Sequence, residues 1–188
     1  MSKLLIVIPA YNEEGNIVQV VNELVAHYPQ YDYVVVNDGS RDNTWQLIKQ
    51  LHDTNHYFRG VNLAKNVGHQ NAIMAGMMTA KDYCDAVITI DVDLQDDLNA
   101  LERMIDKYHE GYDIVYGVKV SRQGDSFLKK NTALMFYKFQ QAMGVKAVYN
   151  HADFRLMSRR TLEQLSQFEE RNLYLRGLIP MIGYPSTT

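Results

Sequence analysis

Short β-branched runs alternate with segments of helical periodicity through the first 118 residues, and this alternation constrains the fold most. Strands are predicted at residues 3–9, 33–36, 58–63, 86–90 and 113–118. Between them, apolar residues recur every three or four positions, which is typical of helices packed on a core. Strands that alternate with helices form a mostly parallel sheet with helices on both faces. We therefore predict an α/β fold, and the 188 residues fit a single domain.

Polar clusters follow four of these predicted elements. They are Asn12-Glu13, Asp38-Gly39-Ser40, Lys65-Asn66 and Asp91-Val92-Asp93. In open α/β sheets, ligands bind in the crevice at the carboxyl ends of the strands. The sequence therefore predicts a binding site built from these four clusters at one edge of the sheet.

The fourth cluster belongs to a run of four carboxylates, Asp91, Asp93, Asp96 and Asp97, directly after a predicted buried strand. Like charges at this spacing repel, which favours a bound cation among them. Mg2+ is usually held by one or two carboxylates together with substrate phosphates. The alternative is a solvated acidic loop in which Asp96 or Asp97 caps the next helix. The three other clusters at the same edge favour a cation site that uses the first two aspartates.

Charge is distributed unevenly along the chain. Residues 119–160 carry nine Lys or Arg against two Asp, a net of +7, whereas the whole chain has a net charge of −3. The total excludes a general nucleic-acid binder, and the basic segment suggests an anionic partner such as a phosphate or a lipid surface. A helix predicted at 127–143 is either a membrane-surface helix or an ordinary amphipathic helix packed on the sheet.

Several other patterns limit the function. One cysteine, Cys84, excludes an internal disulfide and fits a reducing compartment, and no apolar run reaches the roughly 18 residues that span a bilayer. Dinucleotide, P-loop, zinc and hydrolase-elbow motifs are absent from the sequence. Locally, Asn43 and Gln46 suggest a capping box, and Ser158 suggests a helix N-cap after an extended piece at 150–160.

The motifs at 9–14, 37–44, 66–68 and 91–96 resemble, in order, those of family 2 glycosyltransferases of GT-A fold. The similarity is greatest to the branch that includes dolichol-phosphate mannosyltransferase and bacterial polyprenyl-phosphate glucosyltransferases. In that branch Leu-Gln-Asp follows the aspartate motif, as here. A later Asp-Phe-Arg-Leu-x-Ser-Arg segment of the branch is matched by residues 153–159.

The resemblance implies a role for each motif. The nucleotide-sugar site would comprise Pro9, Ala10, Tyr11, Asn12, Glu13, Asp38, Lys65, Asn66, Gly68, Asp91, Val92 and Asp93. Asp38 would bond the base, although an Asp-Gly pair is also an ordinary turn. A divalent metal, Mg2+ or Mn2+, would be held by Asp91, Asp93 and Gln95. The catalytic residues would be Asp153, Arg155 and Arg159, and the acceptor phosphate would meet Arg122 and Lys129.

Asp153 is the expected base of an inverting transfer. However, a lipid phosphate has a second pKa of about 6 and is mostly ionised at neutral pH, so that acceptor barely needs a base. With such an acceptor, Asp153 would orient the sugar or an arginine instead. A sugar hydroxyl would need the base more.

The predicted function is metal-dependent transfer of a sugar from a UDP-sugar, rather than GDP-mannose, to a polyprenyl phosphate at the cytoplasmic face of the membrane. Residues 1–118 would bind the nucleotide sugar, and residues 119–188 would face the acceptor and the membrane. The branch usually continues into transmembrane helices, which this chain is expected to lack, and the chain could form a homo-oligomer. Two alternatives remain: a soluble family 2 enzyme that acts on a saccharide hydroxyl in polysaccharide or cell-wall synthesis, and an inactive nucleotide-sugar binding module.

Overall fold

A single seven-stranded sheet organises the part of the chain that the computed structural model describes, residues 3–92, 99–118, 151–168 and 174–188. The strands are β1 Leu4–Ala10, β2 Asp32–Asn37, β3 Phe58–Asn62, β4 Ala86–Thr89, β5 Ile114–Val118, β6 His151–Ser158 and β7 Ser186–Thr187. They lie in the order β3-β2-β1-β4-β6-β5-β7. All are mutually parallel except β6, which runs antiparallel to β4 and β5. The predicted mostly parallel α/β sheet is therefore confirmed.

The helices cover both faces of this sheet, as the periodicity predicts. They are α1 Ile17–His27, α2 Thr44–Thr54, α3 His69–Ala80, α4 Asn99–His109, α5 Arg159–Leu165 and α6 Leu175–Met181. Side chains alternate along each strand, so Ile6 and Ile8 pack with α1, α2 and α4, whereas Leu5 and Val7 pack with α3, α5 and α6. Burial of apolar surface on both faces is what stabilises the sheet.

The start of α2 differs from the predicted capping box. Asn43 is the N-cap residue, but its side chain makes no cap hydrogen bond. The neighbouring Asp42 takes that role, because its carboxylate accepts from the Thr44 amide at 3.0 Å. An ionised carboxylate is a stronger acceptor than an amide oxygen and also interacts favourably with the helix dipole, so the predicted pairing of Asn43 with Gln46 is wrong.

The strand β6 is the extended piece predicted at 150–160. Thr89 in β4 pairs with Arg155 in β6, so the amino end of β6 lies at the carboxyl end of β4. The strand ends at Ser158, whose hydroxyl accepts a hydrogen bond from the Thr161 amide at 3.3 Å, and this confirms the predicted N-cap of α5. The antiparallel direction of β6 thereby brings Asp153 to the edge that carries the polar clusters.

The predicted helix at 127–143 lies outside the described residues, as does most of the basic segment. Among the helices of the described ranges, none combines the length and the apolar character needed to span a bilayer.

Candidate active site

A pocket of about 280 Å3 lies at the carboxyl edge of the sheet, where loops follow β1, β2, β3 and β4. Its walls are Pro9, Ala10, Tyr11, Glu13, Asp38, Asn66, His69, Ala72, Asp91 and Val92. Eight of these ten residues were predicted to bind the nucleotide sugar. Asn12, Lys65 and Gly68 lie in the same loops, and Asp93 lies outside the described residues. The four polar clusters of the sequence therefore converge on one cavity.

The loop that follows β1 is tied to the loop that follows β2. The Asn12 amide donates to Ser40 Oγ at 3.0 Å, and the Arg41 amide donates to Asn12 Oδ1 at 2.9 Å. The Glu13 amide donates to Thr44 Oγ1 at 2.8 Å. Asn12 has a φ of 56°, a left-handed conformation that asparagine tolerates better than most residues. These bonds hold the first wall of the pocket in place before any ligand binds.

Asp38 fastens the next loop to the end of β2. Its side chain is buried, and its two oxygens accept from the amides of Val67 at 2.7 Å and Gly68 at 3.0 Å. Gly39 has a φ of 63°, and a Cβ at this position would collide with the backbone of Asn66. The structure thus gives Asp38 a role in positioning the loop before α3. Its predicted contact with the base stays a prediction.

Asp153 is surrounded by donors from three elements, and only 8% of its side chain is exposed. Arg155 in β6 donates to Oδ1, and Arg176 in α6 and Gln70 in α3 each donate to Oδ2 at 3.2 Å. His69 Nε2 lies 3.4 Å from Oδ2. Burial alone would raise the pKa of Asp153, but these neighbours outweigh it and hold the pKa well below its usual range. The carboxylate therefore stays ionised and is a poor proton acceptor.

His69 links this cluster to the pocket. The same Nε2 atom lies 3.4 Å from Asp91 Oδ1, so one imidazole nitrogen approaches two carboxylates. The contact with Asp153 and the charge of Asp91 raise the pKa of His69 against the effect of burial. The pocket and the Asp153 cluster therefore form one continuous site.

Sequence reasoning missed three side chains of this site, His69, Gln70 and Arg176. The first two open α3, directly after the predicted Asn66-x-Gly68 motif. A rule that extends each polar loop into the first turn of the following helix would have found them. The arginine was visible as a single charge inside the apolar stretch at 172–183.

The predicted catalytic arginines separate in space. Arg155 has a side chain that is 1% exposed and lies against Asp153. Arg159 instead begins α5 at the opposite edge of the sheet, where its Nε donates to the Cys84 carbonyl at 2.6 Å. Six residues of extended strand span roughly 20 Å, so Arg159 cannot reach the pocket. The structure removes Arg159 from the candidate site.

The predicted metal site lies only partly within the described ranges, since Asp93 and Gln95 fall outside them, as do the predicted acceptor residues Arg122 and Lys129. In the residues that the structure does describe, no group of three or more His, Cys, Asp or Glu side chains is placed to hold a metal. Asp91 supplies one partly exposed carboxylate at the pocket wall. A hard cation that takes one or two carboxylates and completes its shell with phosphates fits this donor.

Comparison with known proteins decides the family. The profile of Glycosyl transferase family 2 matches residues 5–166. The chain belongs to this family. A relative from Bacillus subtilis strain 168, the uncharacterized glycosyltransferase YkoT, is 46% identical over 97% of this chain and 57% of its own length. The bactoprenol glucosyl transferase of Shigella phage SfX is 36% identical over 96% of this chain and 60% of its own length.

The fold of this family 2 chain also occurs among solved structures. The mannosyltransferase PcManGT from Pyrobaculum calidifontis, in complex with GDP-Man and Mn2+, superposes with a TM-score of 0.66 at 19% identity. The match covers 100% of this chain and 54% of that one. This likeness shows a shared fold, the GT-A fold that the motifs predict. The chain spans about 60% of the length of the curated relatives it matches.

Proposed function

We propose that the chain transfers a sugar from a UDP-sugar to a polyprenyl phosphate, with inversion at the anomeric carbon and with a bound Mg2+ or Mn2+, at the cytoplasmic face of the membrane. The observation that carries this proposal is the position of His69, 3.4 Å from both Asp91 and Asp153. Asp91 of the aspartate motif thus lies near the charged cluster around Asp153, which supports an acceptor site beside the sugar-donor site. One site can therefore hold a nucleotide sugar and present its anomeric carbon to a nucleophile.

The pocket supports the donor half of the proposal. Its volume of about 280 Å3 is near the lower end of the range for small-molecule sites. Tyr11 offers a flat ring to a base, and Glu13 and Asp91 offer acceptors to hydroxyl groups. The preference for UDP over GDP follows the resemblance to family members that use UDP-sugars, so both nucleotides belong in the test.

The metal part of the proposal rests on the chemistry of the residues that would ligate the metal. Asp91 faces the pocket, and Asp93 and Gln95 follow it closely in sequence. When bound there, a divalent cation supplies Lewis-acid stabilisation of the departing diphosphate. The chain's own part is to present the Asp91 carboxylate at the pocket wall, just after the buried strand β4.

The state of Asp153 favours a phosphate acceptor over a hydroxyl. A hydroxyl must lose its proton during transfer, and a carboxylate whose pKa is held well below its usual range takes that proton poorly. A phosphate monoester is already ionised at neutral pH. Arg176 is 42% exposed beside Asp153, and a guanidinium suits phosphate oxygens. The cluster is thus built to orient charged groups rather than to remove a proton.

The relatives support the same acceptor class. One is named for glucosyl transfer involving bactoprenol, a polyprenyl lipid, and it aligns with 96% of this chain. An anionic lipid headgroup is also the kind of partner that the basic segment 119–160 suggests.

The test is a transfer assay with radiolabelled UDP-glucose, UDP-N-acetylglucosamine and GDP-mannose. Each is incubated with Mn2+ and either polyprenyl phosphate in vesicles or soluble oligosaccharides. We expect lipid-extractable label from a UDP-sugar, dependence on Mn2+ or Mg2+, and a product of inverted anomeric configuration by NMR. Transfer only to oligosaccharides would support the saccharide enzyme. Donor binding with no transfer to either acceptor would support the inactive binding module.

Vesicle flotation tests the membrane part separately. The chain should float with vesicles that contain anionic lipid and remain in solution with neutral ones. A chain that binds neither kind of vesicle would contradict the membrane assignment and leave the transfer chemistry to the first assay.

A further inference from the structure

His69 lies at the centre of the proposed site, but neither the family motifs nor the proposed function gives its side chain a role of its own. It is the first residue of α3, its side chain is 46% exposed, and it forms part of the pocket wall. Its Nε2 lies 3.4 Å from Asp91 Oδ1 and 3.4 Å from Asp153 Oδ2. These two carboxylates come from distant parts of the chain, the end of β4 and the start of β6.

We propose that His69 is a positioning residue for sugar transfer. Its imidazole N–H, shared between Asp91 and Asp153, sets the distance between the carboxylate on the donor side and the cluster on the acceptor side. This inference rests on the proposed function and deepens it. Two carboxylates this near to one another repel, and a donor between them offsets that repulsion while keeping both in a defined direction.

The backbone that carries His69 is itself held firmly. The preceding residue, Gly68, donates its amide to the buried Asp38 carboxylate at 3.0 Å. Further along α3, a Cβ on Gly76 would collide with Val7 of β1, so the helix lies very close to the sheet. The imidazole therefore starts from a fixed point between the two carboxylates.

Gln70, the next residue, provides an internal comparison. Its Nε2 donates to Asp153 Oδ2 at 3.2 Å, and its Oε1 accepts from the Leu175 amide at 3.2 Å. Gln70 thus holds Asp153 against α6, whereas His69 approaches Asp91 as well. Loss of Gln70 should disturb the acceptor side alone, while loss of His69 should disturb both sides.

The primary variants are His69→Phe, which keeps a ring of similar size but has no N–H, and His69→Gln, which keeps an N–H donor. Groups that orient a metal ligand typically change metal affinity or activity by about 10- to 100-fold when removed. We expect His69→Phe to lower kcat by about that factor, with His69→Gln recovering most of it. Exposed His56, which precedes β3 at the opposite edge of the sheet, supplies the control His56→Ala, expected to match wild type.

A second readout does not require transfer. The chain is titrated with Mn2+ at fixed UDP, and the half-saturating Mn2+ concentration is taken from the rise in melting temperature. His69→Phe should raise that concentration about 10-fold or more, whereas Gln70→Ala should leave it unchanged while lowering kcat. Melting temperatures without ligand show that each variant folds.

Three results would overturn the inference: a kcat of wild-type size in His69→Phe, an unchanged half-saturating Mn2+ concentration in that variant, or a His69→Gln variant no better than His69→Phe. Failure of the proposed function looks different, because the wild-type chain itself would then transfer no sugar to polyprenyl phosphate. In that case the Mn2+ titration still decides whether His69 supports the Asp91 site.

Discussion

Replacement of Asp153 by asparagine should destabilise the chain strongly, apart from any loss of activity. The carboxylate is 8% exposed and faces Arg155, whose side chain is 1% exposed. Removal of one partner from a buried ion pair typically costs 3–5 kcal/mol, because the other charge is left in a poorly solvating environment. Asparagine keeps one acceptor oxygen, and half-exposed Arg176 can turn to water, so we expect the lower end, about 3 kcal/mol. For a chain of this size that corresponds to a melting temperature lower by roughly 6–12 °C.

The pH dependence of this difference follows from the direction of the pKa shift. The pKa of Asp153 is depressed in the folded chain, so its contribution is fully present above the unfolded value of about 3.9. Below that pH, Asp153 is protonated in the unfolded chain but stays ionised in the folded chain, so its contribution to the free energy of unfolding is progressively lost. The gap in unfolding free energy between wild type and Asp153→Asn should therefore widen as the pH falls from 7 to 5, because contact with Asp153 raises the pKa of His69 and the variant loses that contact. The gap should then close as the pH falls below about 4.

Urea unfolding followed by circular dichroism at several pH values measures this gap. Asp53→Asn, a change at an exposed aspartate in α2, is the control and should alter stability by less than about 0.5 kcal/mol. In an Arg155→Met background the cost of Asp153→Asn should fall by about 1 kcal/mol or more, because the charge that it leaves behind is gone. An Asp153→Asn chain within about 1 kcal/mol of wild type at pH 7 would refute the reasoning, including the argument that Asp153 is a poor base.

Three further predictions concern the folded chain beyond Asp153. Gly39→Ala should lower the free energy of unfolding by more than about 1 kcal/mol and weaken UDP binding, because φ is 63° and the new Cβ would collide with the backbone of Asn66. Melting temperatures measured with and without UDP report both effects. Ser158→Ala should cost more than about 1 kcal/mol in urea unfolding, because the hydroxyl caps α5 at the Thr161 amide and also donates to the buried Asp113 carboxylate. A stability equal to that of wild type would refute the cap. Burial raises the pKa of the Cys84 thiol to about 11. A thiol reagent at pH 8 should therefore label Cys84 in the unfolded chain but not in the folded chain. Rapid labelling of the folded chain would contradict the burial of Cys84.

The elements of the sheet could be predicted because their signals are local. β-branched runs and helical periodicity are recognised within a few residues. In a parallel sheet, the loops that follow the strands then lie at the same edge. The place of β6 could not be predicted in this way. Its pairing of Thr89 with Arg155 joins residues far apart in sequence, and the antiparallel insertion depends on which strands pack rather than on any local pattern.

The difference between local signals and long-range packing also explains which site residues could be predicted. The pocket residues of the four clusters could be predicted because each cluster follows a strand. Arg159 was wrongly placed because it is close to Asp153 in sequence, yet an extended strand carries it to the other edge. Arg176 was not predicted as a site residue because only the packing of α6 brings it to Asp153. Sequence spacing therefore predicts a site well at strand ends and poorly along a strand or across elements.

The most direct test of the account is the affinity of UDP for the chain with and without Mn2+, measured by calorimetry on wild type and Asp91→Asn, with Asp53→Asn as the control. The account predicts that UDP binds wild type and the control in a Mn2+-dependent manner. Loss of Mn2+ or of the Asp91 carboxylate should weaken binding by about 10-fold or more. Equal affinity in all of these conditions would contradict a metal-assisted nucleotide-sugar site at the end of β4.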